Sequence, residues 1–365
     1  MKLHFYFARK FAVIFASITG IFFAFLILLD IVEQMRRFES ADITFAGATA
    51  LAILSVPETL YRILPLIMIL ATLTLFLGLS RTSELVVARA SGRSAMRSLW
   101  APVVTSLLIG AFGVTVLNPI VAATLQQYET QSQRYGNDGG DVISVSEEGL
   151  WLRQGGSSGQ TVIRAEQTSL DGTILLQATF VELDPGGQPV RRIEASTATL
   201  SLYHWHLEDV KIWPLTGSDN PERDAVTLET YDVASSLTQE QIRDSFGTPA
   251  SIPIWDLPEF IDNLDRAGFS ARLHRVWFHT EIAMPAFLAA MVMIGAGFTM
   301  RHTRFGRTGQ MVLLALMLGF GVYFIRNFAQ ILGENGQIPV LLAAWAPPAA
   351  GIFLALGLLF HLEDG

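Results

Sequence analysis

The chain has 365 residues, of which 51% are hydrophobic and only 16% charged, and its mean hydropathy is +0.40. That balance excludes an ordinary soluble domain and points to a membrane protein. The net charge of −8 arises in residues 126–275, whose 23 acidic and 11 basic side chains form a solvated acidic surface and exclude a nucleic-acid footprint. With no cysteine, that stretch must be held by its core alone, which about 150 residues can supply; the compartment stays open on this count.

Six uncharged runs come near the roughly 20 residues that cross a bilayer as a helix. They are Phe11 to Leu29, Ile63 to Ser80, Ser98 to Tyr128, Ile282 to Met300, Thr308 to Ile325 and Gln337 to Leu362. The first is too long for a signal-peptide core and ends in Ile27, Leu28, Leu29 and Asp30, without small residues for cleavage, so it is expected to be a retained helix. Positively charged flanks resist translocation, and Lys2, Arg9, Lys10, Arg81, Arg89, Arg93, Arg97, Arg301, Arg304 and Arg307 all fall on one side. That side is expected to be the cytoplasm, with both termini on it. The loop from Asp30 to Arg62, the turn holding Arg326 and Glu334, and the whole middle region then lie opposite.

Beyond the outer end of the first run stand Arg36 and Arg37. They read either as interfacial charges or as an anion contact, since guanidinium pairs bidentately with phosphate. Arg326 is expected at a comparable depth, after the fifth run. Between the second and third runs, "RTSELVVARASGRSAMRS" (81–98) is written as a short helix: Thr82 or Ser83 can cap it, Glu84 complements the positive end of its dipole, and Gly92 can stop it.

From Asp141 the text alternates apolar and polar residues in short segments broken at Gly, Pro, Asp and Ser, as expected of antiparallel strands in a sandwich or an open roll. In "TILLQATFVEL", strict alternation places Ile174, Leu176, Ala178 and Phe180 on one face, which reads either as a filled core or as an apolar groove. After Ser251 the spacing of Leu257, Phe260, Ile261 and Leu264 predicts a helix. Gly155, Ser157 and Gly159 match the pattern of a nucleophile elbow, but strands on both sides make it a glycine turn. His204 and His206 lack a third ligand at metal-binding spacing. No phosphate-cradling GxxxxGK sequence occurs, so energy for any work must come from a partner.

Three runs, a β-rich insert and three more runs, together with "LSVPETLYRILPL" (54–66), "SELVVARASG" (83–92) and "EEGLWLR" (147–153), closely resemble the lipopolysaccharide export permeases, the LptG branch more than the LptF branch. The resemblance implies a six-helix membrane protein with an inserted periplasmic β-jellyroll: residues 1–128 as helices one to three with a coupling helix near 82–92, 129–272 as the β domain with its connecting helix, and 273–365 as helices four to six. It implies an ATP-driven inner-membrane permease subunit that extracts lipopolysaccharide, with no cofactor of its own and no covalent chemistry. Implied partners are a paralogous LptF-like permease, a cytoplasmic LptB-like ATPase dimer that binds the ATP, and LptC-like and LptA-like bridge proteins. Glu84, Arg89 and Gly92 match the ATPase-coupling segment, Arg36 and Arg37 a headgroup-contacting pair, and Ile174, Leu176 and Phe180 are expected in an acyl-chain groove. Asp30 and Glu281 depart from the family, which often has lysine at both places. A membrane-anchored envelope scaffold is the rival, and the number of apolar runs speaks against it, since an anchor needs one or two.

Overall fold

The computed structural model describes residues 2–39, 43–84, 87, 95–132, 135, 142–146, 149–156, 159–169, 173–201, 204–217, 219–235, 248–266, 268–300 and 308–363. They form two compact units: Met1–Tyr135, Ala250–Trp255 and Arg272–Gly365 in one, and Gly136–Pro249 with Asp256–Ala271 in the other.

The first unit is helical. Helix α1 (Lys2–Arg37) has 36 residues, about 54 Å at 1.5 Å per residue, so it overreaches a hydrocarbon layer of about 30 Å. Where the sequence suggested a loop from Asp30 to Arg62, the structure continues α1 to Arg37 and then forms α2 (Phe45–Arg62). The Thr44 hydroxyl caps α2 by accepting the Gly47 N–H at 3.2 Å. Ala48, Leu51, Ala52 and Val56 give α2 a buried face at helical spacing, within an uncharged stretch, Ile43 to Pro57, that is shorter than a membrane span. Helix α3 (Leu64–Arg81) restarts at Pro65, which has no N–H to continue α2. Helix α4 (Ala95–Phe112) passes through five π-helical residues, Gly113–Leu117, into α5 (Asn118–Ser132).

Helix α6 (Leu257–Arg266) belongs to the second unit. Back in the first, α7 (Arg272–Ile282) and α8 (Met284–Thr299) meet at a 50° bend, followed by α9 (Thr308–Glu334) and α10 (Val340–Glu363). Among the described residues five helices are long and apolar enough to cross a membrane, and the bent pair makes a sixth if it is one span.

Helix α8 is buried nearly all round, from Phe287 and Leu288 to Ile294. The outward faces of α1, α9 and α10 instead expose Phe25, Leu28, Phe324 and Phe353, as suits helices that meet lipid or another membrane chain. Small residues bring backbones together: a Cβ on Gly110 of α4 would lie 2.5 Å from the Pro285 Cα. Because that neighbour is backbone at the α7–α8 bend, it cannot yield. Gly110→Val is therefore expected to lower the unfolding free energy in detergent by about 1–3 kcal/mol, while Gly20→Ala, which meets nothing within 4 Å, leaves it unchanged or slightly higher.

The second unit is one seven-stranded antiparallel sheet: β1 (Val142–Ser146), β2 (Gly149–Gly156), β3 (Gly159–Thr168), β4 (Ile174–Leu183), β5 (Pro189–Ser201), β6 (His204–Pro214) and β7 (Val226–Ala234). The strands lie side by side in chain order. This is the open roll, and the Greek-key crossovers that define a jellyroll are absent among the described residues. Gln154 of β2 donates to the Ala234 carbonyl at the end of β7 (3.0 Å) and accepts from the Ser235 hydroxyl (2.9 Å), so the sheet curls until its second and last strands meet. Inside the curl lie Leu152, Ile163, Phe180, Trp205 and Leu207, with Phe180 edge-on to Trp205 at 6.2 Å. Gly268, after α6, has φ +91° and sits where a Cβ would be 2.3 Å from the Thr168 carbonyl oxygen, so only glycine fits there.

The strict alternation expected along β4 fails. Leu175, Ala178 and Phe180 are buried, whereas Ile174 and Leu176 are 38% and 40% exposed and lie on the other face. The cause is Gln177, at φ +51°, which puts two consecutive residues outside and switches the inward parity. The same switch crosses the sheet: Glu166 and Gln167 in β3, and Glu208 and Asp209 in β6 (Asp209 φ +52°), are each a consecutive exposed pair. Ser196 of β5 fastens this kink by donating to the Glu208 carbonyl and the Asp209 carboxylate, each at 3.1 Å.

Candidate functional site

Lys10 of α1 and Glu84 define one end of the helical unit. Lys10 Nζ lies 3.0 Å from Glu84 Oε1, the Tyr6 hydroxyl donates to Oε2 at 3.0 Å, and the Thr82 hydroxyl donates to Oε1 at 2.8 Å. Burial pushes the Glu84 carboxyl up, but the hydrogen bonds from Lys10, Thr82 and Tyr6 outweigh it and hold the group below its ordinary value. Ser83, at φ +57°, accepts the Val87 N–H at 3.1 Å, so a helical turn begins at the residue the sequence marked as a cap. Arg89 and Gly92 lie outside the described residues, as do Arg93, Arg301, Arg304 and Arg307. Nothing in the sequence marks Lys10 and Tyr6 as partners of Glu84, because contacts across 74 and 78 residues leave no local signal.

Asp30 follows Lys10 by 20 residues of continuous helix, about 30 Å, a separation that matches the thickness of a hydrocarbon layer. Arg36 and Arg37 stand about 10 Å further out and are both exposed. Arg36 forks onto Glu33 at 2.8 and 3.0 Å, and Arg37 donates to the Tyr128 hydroxyl at 3.1 Å. Arg326 is not with them. Instead of following the fifth run, it lies inside α9, about 12 Å of helix short of Glu334, and is only 8% exposed with its guanidinium 5.1 Å from the centre of the Phe287 ring. A charge inside an apolar run reads as its end; the fold buries it because a carboxylate is nearby.

That carboxylate is Glu281, at the α7–α8 bend and 1% exposed. The Tyr61 hydroxyl donates to its Oε2 at 2.5 Å and the Asn118 amide at 3.3 Å, while Arg326 acts on it through its charge. Asn118 Oδ1 in turn accepts the Ile254 N–H at 2.9 Å, and the Trp255 indole donates to the Thr115 carbonyl in the π-helical turn at 3.3 Å. One polar knot thus joins α2, α5, α7, α9 and segment 250–255. In the sequence only Glu281 was conspicuous; Tyr61 and Asn118 are neutral residues within helical text.

In the β unit, Phe180 is in the apolar interior and Ile174 and Leu176 are outside it. His206 pairs with Asp232 across β6 and β7 at 2.7 Å. No group of three or more metal-ligating side chains occurs among the described residues.

A bundle of membrane-length helices interrupted by a β roll with an apolar interior defines a class, the membrane permease with an inserted β domain. The model of the lipopolysaccharide export system permease LptF/LptG family matches residues 5–361, and the chain belongs to that family. It is 22% identical over 372 residues to the lipopolysaccharide export system permease protein LptG of Haemophilus influenzae, covering 95% of this chain and 97% of that protein. It is 24% identical over 339 residues to LptG of Escherichia coli K12, covering 92% and 91%.

Proposed function

We propose that this chain is the permease subunit of an ATP-driven transporter that draws lipopolysaccharide from the inner membrane and passes it to a periplasmic bridge toward the outer membrane. The observation that carries the reading is the family match over residues 5–361, together with membrane-length helices on both sides of a β unit with a closed apolar face. The bent α7–α8 pair counts as one span, giving six. Residues 1–128 hold the first three, 129–272 the periplasmic unit and 273–365 the last three, with the Lys10 and Glu84 end in the cytoplasm. A paralogous LptF-like permease completes the pair. An LptB-like ATPase dimer, which binds and hydrolyses the ATP, receives the segment of Glu84, Arg89 and Gly92, and LptC-like and LptA-like proteins take the lipid onward. Arg36 and Arg37 meet headgroup phosphates, while Arg326, buried in α9, acts on Glu281 through its charge.

The physical task is to move acyl chains without exposing them to water, which costs about 0.8 kcal/mol per methylene. The inward residues Leu175, Ala178 and Phe180 supply an apolar surface for that purpose. A photo-crosslinker at Phe180, in the complex reconstituted with its partners, is expected to label lipopolysaccharide only when ATP is present, and one at the outward Leu176 is expected not to. Failure of the complex to release lipopolysaccharide from vesicles with ATP overturns the function; export without any label at Phe180 overturns the route.

A further inference from the structure

Between α1 and α2, at the outer edge of the hydrocarbon layer, runs a groove of about 390 Å³ lined by Leu26, Leu29, Asp30, Val32, Glu33, Val56 and Thr59. That volume is within the range of ligand clefts. Its walls suit acyl chain, yet it holds two carboxylates of different standing. Glu33 is neutralised by Arg36 at 2.8 Å. Asp30 has only neutral donors: the Ser55 hydroxyl at 2.5 Å and the Gln34 amide at 3.2 Å, both on Oδ2. Among the described residues no cation lies within ion-pair distance of Asp30, and its Oδ1 accepts no hydrogen bond.

We propose that the groove binds the exported lipid through a free ammonium group carried close to its acyl chains, with Asp30 Oδ1 accepting from the ammonium. A carboxylate at the hydrocarbon edge without a counter-charge is unfavourable, and an incoming cation relieves it. An ammonium fits better than a bare divalent ion, because magnesium or calcium gathers six or more oxygens and Asp30 offers one free oxygen among apolar walls. The positions of the charges add a second requirement. Asp30 is deeper and Arg36 and Arg37 lie about 10 Å further out, so the ligand places its amine next to the chains and its anionic groups beyond it. The inference rests on the permease reading and narrows its substrate to lipopolysaccharide with amine-substituted phosphates or a free amino sugar at the lipid end.

The test uses the whole transporter complex in nanodiscs of phosphatidylglycerol, with a photo-crosslinker at the exposed Thr59 and, separately, at Phe180. Lipopolysaccharide bearing amine substituents and the same material after N-acetylation are offered in turn. The amine form is expected to label Thr59 more strongly, by up to about fivefold for a half-exposed ion pair; Asp30→Asn is expected to remove the preference, and Asp30→Lys to favour the acetylated form. Equal labelling by the two forms, with ATP-dependent labelling at Phe180 intact, overturns this assignment alone. Loss of the preference in EDTA overturns it in favour of a bridging divalent ion. Labelling by added phosphatidylethanolamine that lipopolysaccharide does not displace overturns it in favour of a resident phospholipid. Labelling at neither position with ATP-driven export intact overturns this assignment and the route through the β unit, whereas loss of export in the parent complex overturns the permease reading.

Discussion

Glu281→Leu is expected to be the most damaging single substitution in the helical unit, lowering the unfolding free energy by about 3–5 kcal/mol, the range for removing one partner from a buried charged network. Leucine leaves the Tyr61 hydroxyl and the Asn118 amide without their acceptor, and the buried Arg326 without its counter-charge. Glu281→Gln keeps an oxygen for Tyr61 and is expected to lose about half as much. Tyr61→Phe removes one hydrogen bond and about 1–1.5 kcal/mol. Pairing Glu281→Leu with Arg326→Met, which replaces both charges by apolar bulk, is expected to recover most of the loss. Detergent unfolding of the four variants measures this series. A single Glu281→Leu variant as stable as the parent would mean that the knot contributes nothing to the fold.

Glu84→Arg is expected to abolish ATP-driven export while the protein still inserts and folds. The Lys10–Glu84 pair is half-exposed, its side chains 29% and 31% accessible, and such pairs contribute only about 0.2–1 kcal/mol, so its loss cannot unfold the unit. Export should nevertheless fail, because arginine places a second cation beside Lys10 and reverses the charge offered at the cytoplasmic end. Lys10→Ala separates two causes. If Glu84 acts on the ATPase directly, Lys10→Ala leaves ATPase association within a few-fold of normal; if it acts by tying α1 to residues 82–84, Lys10→Ala fails as Glu84→Arg does. Normal export by the Glu84→Arg complex would falsify the coupling role.

The pH dependence of this tie follows from the sign of the shift. The folded value of Glu84 lies below its unfolded one, so its contribution is complete above the unfolded carboxylate value of about 4.3 and is lost only as pH falls through the folded value. ATPase association is therefore expected to be flat between about pH 6 and pH 8, as titration of the complex would show.

Much of the architecture was legible because bilayer-crossing helices and exposed strands write their period into the chain. Run length and hydropathy alone mark α1, α3, α9 and α10, and the alternation after Asp141 marks the β unit. Helix α2 does not stand out as a span because its uncharged stretch, Ile43 to Pro57, is shorter than the roughly 20 residues that cross a bilayer and ends at Glu58. In β4 the alternation breaks at one residue: nothing in "TILLQATFVEL" says that Gln177 adopts a positive φ, and a single such residue moves Ile174 and Leu176 out of the apolar interior. The burial of Arg326 is illegible for a related reason, since an arginine in apolar text is buried only where another chain segment brings a carboxylate near it.

By itself, the sequence determined the number of apolar segments, which of their ends are basic, the β character of the insert, and Glu84 as the conspicuous acid of its segment. These are properties of local composition and period, and each is decided within a window of a few to about 20 residues. Only the tertiary structure decided that Lys10 and Tyr6 hold Glu84, that Tyr61, Asn118 and Arg326 gather around Glu281, that Asp30 lines a largely apolar groove with no cation within ion-pair distance among the described residues, and which faces of the strands point inward. Those are contacts between residues as much as 220 positions apart, and they arise from desolvation: a buried charge must find its partner wherever the packing of the helices brings one, and no local pattern records where that is.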